Sequence, residues 1–247
     1  MNQFASQSNL LLASLGADDY ALLRPHLTQV RLKQRFVVQE SGSPIEQIYF
    51  PLDGMISLVA PLKTGEEIEI AAIGREGAIG TKIGLQRQLS FAKAMVQLPG
   101  GALRIGLEKF QDAARESLAI THLSTCANEV VIANLQQSAA CNAMHLIEER
   151  LARWLLHARD RYQSNALPLT QDFVSMMLGV RRTTVSLAAH TLQKAGLIRY
   201  RRGKLEITNR EVLEAASWEC YGTVRRNVDL IIQTAKLAKN PSKPLTI

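Results

Sequence analysis

Between residues 169 and 213 the chain reads LTQDFVSMMLGVRRTTVSLAAHTLQKAGLIRYRRGKLEITNREVL, and its polar residues are spaced to hold a polyanion. Arg181, Arg182, Thr183, Ser186 and His190 recur at helical spacing, opposite Val185, Ala188 or Ala189, and Leu192. An arginine offers guanine O6 and N7 a bidentate fork, while Thr and Ser hydroxyls reach bases or phosphates. The free N–H groups that open such a helix attract a phosphate. Downstream, Arg201, Arg202 and Lys204 crowd the tip of an alternating stretch, where cations meet phosphates. The chemistry indicated is recognition of duplex DNA. A two-helix corner with solvating arginines is the plainer alternative, and the order of features argues against it.

Those side chains need a scaffold. Thr170 is a good N-cap for a short helix whose apolar face is Phe173, Val174, Met177 and Leu178. Gly179 follows where a tight interhelical turn needs positive φ. A second helix over 181–195 ends at Gly196 as a C′ residue. Residues 197–207 alternate and turn at Arg202-Gly203, giving a β-hairpin with a cationic tip, a wing. This is the spacing of a helix-turn-helix, whose second helix enters the major groove.

Upstream the texture differs. Residues 6–27 predict a short amphipathic helical lead-in, with Leu10, Leu11, Leu15, Leu22, Leu23 and Leu27 at roughly helical spacings. From 30 to 105, short β-rich runs (36–38, 48–50, 55–62, 68–73, 91–98, 103–105) alternate with Gly, Pro and Asp turns, which predicts an antiparallel sandwich or jelly roll. Glycine then disappears between Gly106 and Gly179. Residues 108–115 form a polar helical stretch. Residues 117–143 carry one formal charge, Glu129, with apolar residues spread around the wheel, so this long helix must pack on two partners. One is the roll of its own subunit. The other is a second copy across a seam near Leu123, Val130 and Ala133, or another part of the same chain; periodicity leaves both open. Residues 144–161 form a further amphipathic helix, and 240–247 a polar, Pro-containing tail expected to be mobile.

Charge follows the same division. Residues 1–143 have a net charge of −1 and residues 144–247 of +8, with +6 of it between 168 and 210. Such a patch suits nucleic acid, because Lys and Arg on phosphates release condensed counterions. At 247 residues, 47% hydrophobic and 21% charged, the chain is neither disordered nor short of core material. Three widely spaced cysteines exclude a disulfide framework and fit a reducing compartment. The first residues lack a basic n-region, and no stretch approaches the ~20 apolar residues of a membrane span, so a cytoplasmic protein without membrane contact is expected. The chain has no G-x-x-x-x-G-K-[ST], H-E-x-x-H, C-x-x-C or G-x-S-x-G, and no enzyme or cofactor is expected. The glycine-rich 74–80 lies between predicted strands and reads as a turn. His122 and Cys126 stand at i, i+4, able to hold a metal or haem, yet two isolated ligands in an apolar helix more often belong to a core. The same holds for His145, and for Cys141 as a redox thiol, so no metal site is expected.

The whole resembles the Crp/Fnr superfamily of bacterial transcription regulators over nearly all of 20–220. The resemblance rests on Leu169-Thr170, Leu178-Gly179-Val180, Arg182-Thr183-Thr184-Val185 and Gly196-Leu197-Ile198. It implies an α+β fold in four parts: a cyclic-nucleotide-binding-like β-roll (1–112), a dimerisation helix (113–143), a winged helix-turn-helix (144–220), and a C-terminal helical extension with its tail (221–247). It implies that Arg182, Thr183 and Leu187 read bases, joined by Ser186. Gln171, Arg181 and Thr184 fall on phosphates, with Thr170, His190, Arg201, Arg202 and Lys204 beside them. Leu187 departs from the family's frequent Arg and can pack only on a thymine methyl. The partners implied are a homodimer mate, double-stranded DNA and RNA polymerase.

The effector pocket departs further. Cyclic-nucleotide binders carry Gly-Glu and, about ten residues on, Arg-Ser/Thr-Ala. Here Gly80 is followed by Thr81-Lys82, and the second motif reads Ser90-Phe91-Ala92. Without that carboxylate and guanidinium, cyclic AMP is not the expected ligand; Lys82 is a point charge, not a fork. An N-terminal cysteine cluster for an iron–sulfur centre is lacking too, the first cysteine being Cys126. A ligand-binding module that signals through protein contacts is the different-class alternative, separated by salt-dependent retention on DNA.

Overall fold

The computed structural model describes residues 8–82, 88–201 and 203–237. Arg202 and the 240–247 tail lie outside them. The expected lead-in helix is broken into a 3₁₀ turn at Leu12–Ser14, a helix α1 (Ala17–Leu23) and a second 3₁₀ turn at Arg24–His26. Gly16 caps α1 and Pro25 sits inside the second turn, so one continuous helix cannot form. The leucine spacing still does its work: Leu11, Leu12, Leu15, Leu23 and Leu27 are buried.

The roll comprises β1 (Thr28–Leu32), β2 (Val37–Gln39), β3 (Gln47–Pro51), β4 (Met55–Pro61), β5 (Glu67–Ile73), β6 (Lys93–Leu98) and β7 (Gly100–Gly106). They form two antiparallel sheets, ordered β1-β7-β3 and β2-β6-β4-β5. Strand β1 was not expected as an element. It pairs with β7 along one side only and keeps most of its side chains at the surface, so it shows no apolar alternation. Gly54 turns β3 into β4 at φ +76, where a Cβ would stand 2.6 Å from the Leu98 carbonyl oxygen.

Four helices follow: α2 (Leu107–Glu116), α3 (Leu118–Met144), α4 (Ile147–Tyr162) and, after the short β8 (Ala166–Leu167), α5 (Gln171–Leu178). Then come α6 (Arg182–Lys194), the hairpin β9 (Ile198–Arg201) and β10 (Lys204–Ile207), α7 (Arg210–Ala216) and α8 (Trp218–Leu237). Ser117 separates α2 from α3, and its side chain accepts from the Ile120 N–H as an N-cap.

Helix α3 finds both its partners inside the chain. Its buried residues Ile120, Leu123, Cys126, Ala127 and Val130 pack on the roll and on α8, which adds Val224, Val228, Ile232 and Ala235 to the same core; Ala133 is buried beside them along the helix. The seam looked for near Leu123, Val130 and Ala133 is therefore not free: those residues are covered by their own chain. What α3 leaves open is the opposite stripe, Thr125, Glu129, Ile132, Gln136, Ala139, Ala140 and Ala143. A second core joins Met55, Val59, Ala72, Met95 and Leu98 of the roll to α4, α5, α6 and the hairpin. Among the described residues no helix is long and apolar enough to cross a membrane.

Candidate nucleic-acid interface

Phe173, Val174, Met177 and Leu178 of α5 meet Val185, Ala188, Ala189 and Leu192 of α6, all eight buried. Thr170 Oγ1 accepts from the Phe173 N–H at 3.3 Å and starts α5 as its N-cap. Gly179 ends α5 at φ +63 with its Cα facing Ile68 of β5; a Cβ there would lie 3.2 Å from the Ile68 Cγ2. Glycine serves twice here, for the left-handed turn and for the close approach of the roll.

Helix α6 opens at Arg182, with Arg181 as its N-cap, whose side chain makes no capping hydrogen bond. Arg181, Arg182, Thr183, Leu187 and His190 are exposed on one face. Arg182 Nε lies 3.4 Å from Asp172 Oδ1, with both side chains about two-thirds exposed. An exposed pair of this kind contributes under ~1 kcal/mol, whereas a bidentate base contact contributes ~1–3 kcal/mol. The Asp172 pair is therefore weak enough for Arg182 to give it up for a stronger partner. Leu187 is 70% exposed, an apolar group that its own chain leaves largely uncovered.

Two expected contacts are engaged within the chain. Ser186, assigned to bases, is half-buried, and its hydroxyl donates to Gln171 Oε1 at 2.7 Å. The pair ties α6 to the start of α5, and the Ser186 hydroxyl also reaches the Arg182 carbonyl at 3.1 Å. Arg181 and Thr184 line a cavity of about 660 Å³ whose other wall includes Glu66, Glu67 and Ile68 of the β4–β5 hairpin.

The wing is tied to the same core. Leu205 and Ile207 point inward, Tyr200 donates its hydroxyl to the Leu169 carbonyl, and the Tyr200 N–H donates to Gln193 Oε1 at 2.8 Å. Gly203 sits at φ +74 in the hairpin turn. Arg201 and Lys204 flank it, both exposed, while Arg199 pairs loosely with Glu206 at 3.7 Å.

The effector residues also converge, in part. Gly80 adopts φ +89, and Ser124 of α3 donates to the Thr81 carbonyl. Lys82 Nζ donates to the Leu89 carbonyl at 2.9 Å and lies 4.2 Å from the centre of the Phe91 ring. Ser90 Oγ donates to the Ala92 carbonyl at 2.6 Å. The Lys82 ammonium is thus held by its own loop, and partial burial lowers its pKa. His122 and Cys126 do come within 4.0 Å of each other.

Charged residues that the sequence did not single out occupy the seam between roll and α4. Arg161 Nε donates to Glu76 Oε1 at 2.7 Å with both side chains almost wholly buried, and Trp154 Nε1 donates to Glu69 Oε1 at 2.8 Å. Burial pushes the Glu69 carboxyl up, against hydrogen bonds from Ser57 and Trp154. Asp160 is nearby: burial acts to raise it, yet hydrogen bonds from Arg210 and Tyr221 hold it below the usual carboxylate range. Partners such as Glu76 and Arg161 lie 85 residues apart, so no local signal announces them.

Residues 149–216 match the model of the Crp-like helix-turn-helix domain. No curated protein matches the chain. Solved structures do. FixK2 of Bradyrhizobium japonicum aligns with a TM-score of 0.65 at 16% identity over 77% of this chain and 96% of its own. The c-di-GMP responsive global regulator CLP of Xanthomonas campestris aligns at 0.64 and 16%, over 78% of this chain and 100% of its own. A CRP-family transcriptional regulator from Thermus thermophilus gives 0.64 and 18%, over 76% and 96%. Each alignment takes in nearly the whole of the solved structure, so the chain has the fold of those transcription regulators, and its residues 149–216 form a Crp-like helix-turn-helix domain.

Proposed function

We propose that this protein is a sequence-specific regulator that binds double-stranded DNA as a homodimer, each copy laying α6 in the major groove. The observation that carries the reading is the exposed face of α6, where Arg181, Arg182, Thr183 and Leu187 stand unburied on a helix whose other face is locked into the core. Arg182, Thr183 and Leu187 read bases. Thr170, Arg181, Thr184 and His190 meet phosphates together with the wing cations Arg201, Arg202 and Lys204. Ser186 and Gln171 hold the two helices of the motif at their angle.

The second copy packs on the stripe of α3 that its own chain leaves open, around Ile132, Gln136, Ala139 and Ala140. Small residues there let two helices approach across a two-fold axis. Ala140→Glu then sets like charges against each other at the axis, and light scattering should show a shift from dimer to monomer with weakened operator binding. A dimer that persists at low micromolar concentration places the seam elsewhere.

Regulation in this reading is a population shift. The Thr81 carbonyl accepts from Ser124, which joins the effector loop of Gly80, Thr81, Lys82, Ser90 and Phe91 directly to α3. Widening the cavity that Arg181 and Thr184 share with Glu66 and Glu67 would move those carboxylates away and favour phosphates there. RNA polymerase is the onward partner. The chain is not an enzyme in this account, and millimolar cyclic AMP should leave the melting temperature unchanged; a clear shift at micromolar cyclic AMP overturns that point.

The deciding experiment is enrichment of bound duplexes from a random pool, followed by binding of Arg182→Ala to the selected and to scrambled DNA. A palindromic consensus that relaxes at one base pair per half-site in the variant supports the reading. No enrichment, with retention on DNA insensitive to salt, overturns it.

A further inference from the structure

The last turn of α3 and the first turn of α8 bring together Cys141, His145 and Cys220. The two Sγ atoms and a ring nitrogen all lie within 4.8 Å of one another, the one such trio of His, Cys, Asp or Glu groups among the described residues. Cys220 Sγ stands 3.2 Å from His145 Nδ1. Cys141 lies in the last turn of α3, His145 is the residue that ends it four positions on, and Cys220 arrives from a helix 75 residues beyond His145.

We propose that Cys141, His145 and Cys220 bind a borderline-soft divalent d-block cation, zinc(II) foremost, through two thiolates and one imidazole. With Zn–S about 2.3 Å and Zn–N about 2.0–2.1 Å, tetrahedral ligand atoms sit roughly 3.5–3.8 Å apart. The trio brackets that spacing, and small side-chain rotations close it. Thiolates select such a cation over magnesium or calcium. Entry of the cation forms two M–S bonds and one M–N bond and releases the two thiol protons to solvent, and the resulting site is neutral. Cys141 and Cys220 are buried while His145 is half-exposed, so the fourth position opens toward water on the His145 side.

The surroundings are organised for those ligands. Gln137 Nε2 donates to Cys220 Sγ at 2.9 Å. The Trp218 indole stacks on the His145 ring at 5.8 Å, and its Nε1 donates to Glu149 Oε1 at 2.6 Å. Outer contacts of this kind fix ring orientation and ligand basicity. The His122–Cys126 pair has no third ligand among the described residues.

A bound cation would also act on the helices around it. Helix α3 ends at His145, in extended conformation, and α4 is capped from Leu146, whose N–H donates to Glu149. A cation there lashes α8 to α3 across the bend that sets α4, and with it α5 and α6. This consequence, unlike the site itself, rests on the DNA-binding reading.

The test uses reduced full-length protein stripped with a chelator and titrated with cobalt(II). One equivalent per chain should give a thiolate-to-cobalt charge-transfer band with the visible bands of tetrahedral coordination, bleached by one equivalent of zinc(II). Cys141→Ser, His145→Ala and Cys220→Ser should each weaken binding at least about 100-fold, beyond the 10–100-fold loss typical of an outer contact. Cys126→Ser should bind as the unsubstituted chain does. His145→Ala removes a half-exposed side chain, so it reports on the site even where a buried cysteine substitution fails to fold; circular dichroism checks each variant. The proposal is overturned by absence of the charge-transfer band, by undiminished binding in His145→Ala, or by equal loss in Cys126→Ser. A Cys141–Cys220 disulfide in a chain whose reduced form takes up no metal overturns it too. Affinity for selected duplex DNA, measured with and without zinc, is a separate readout: an unchanged value removes the coupling and leaves the site.

Discussion

The arginines of α6 and those of the roll–α4 seam are chemically identical and do opposite work. Arg181 and Arg182 stand in solvent, and the nearest partner of Arg182 is a carboxylate that is itself exposed. Arg161 is sealed between Glu76 and Asn134, with its Nε 2.7 Å from a carboxylate oxygen. The first pair keeps its hydrogen-bonding capacity open to solvent, available in the proposed reading to a polyanion. Arg161 has already used much of its own, in a place where water cannot replace a lost partner. Burial, not residue type, decides which arginines keep donors open to a new partner and which ones hold the fold together.

The hardest test of this contrast is Arg161→Ala. It strips the buried Glu76 carboxylate of its guanidinium partner, leaving the Gly74 N–H bond, and losing one partner of a buried pair costs roughly 3–5 kcal/mol. Chemical denaturation should show that loss, with a fall in melting temperature. A loss below about 1 kcal/mol, the range of exposed pairs, would show that the seam behaves as surface.

Arg182→Ala should do the reverse. Stability should stay within about 0.5 kcal/mol, as for a surface substitution, while specific DNA binding weakens by roughly 1–3 kcal/mol per half-site. If the variant weakens selected and scrambled DNA equally, Arg182 is a phosphate contact and not a reader.

His157 refines the buried side of the contrast. Its ring lies against Tyr221 at 5.1 Å, and burial, helped by the Arg161 and Arg153 charges, lowers its pKa well below the ordinary 6.5. The unfolded chain then binds a proton that the folded chain refuses. This contribution is whole above pH 6.5 and is lost progressively as pH falls from there toward the depressed native value. His157→Phe should flatten the acid limb of the stability curve; an unchanged slope would assign the acid sensitivity to other groups.

The smallest effect belongs to the wing. Lys204→Ala should weaken specific and non-specific DNA about equally and lower the salt slope by about one unit. A change in base preference would exchange the roles assigned to wing and helix.

Much of this molecule can be read from local pattern. Thr170, Gly179 and Gly196 mark helix ends because N-capping and positive φ are properties of single residues, and the buried faces of α5 and α6 follow from a 3.6-residue period. The strand rhythm announces the roll, although β1 escapes because an edge strand needs no apolar alternation. The cationic α6 face and the wing were legible for the same reason: each lies within one continuous stretch of about forty residues.

Local pattern cannot supply which distant segments meet. The even spread of apolar residues on α3 requires two partners, and only the fold shows that α8, from the far end of the chain, is one of them. Ser186 carries a hydroxyl that reads equally well as a base contact, until packing turns it onto Gln171. Cys141 and His145 form an ordinary i, i+4 pair until α8 sets Cys220 beside them, and Arg161 looks like any helix-surface arginine until the roll closes over it. Caps, turns, periods and the sign of the charge were readable in the residues alone, since each depends on neighbours along the chain. Burial and partnership came from the folded molecule, because both arise between groups that 75 or 85 residues of chain keep apart until the cores form.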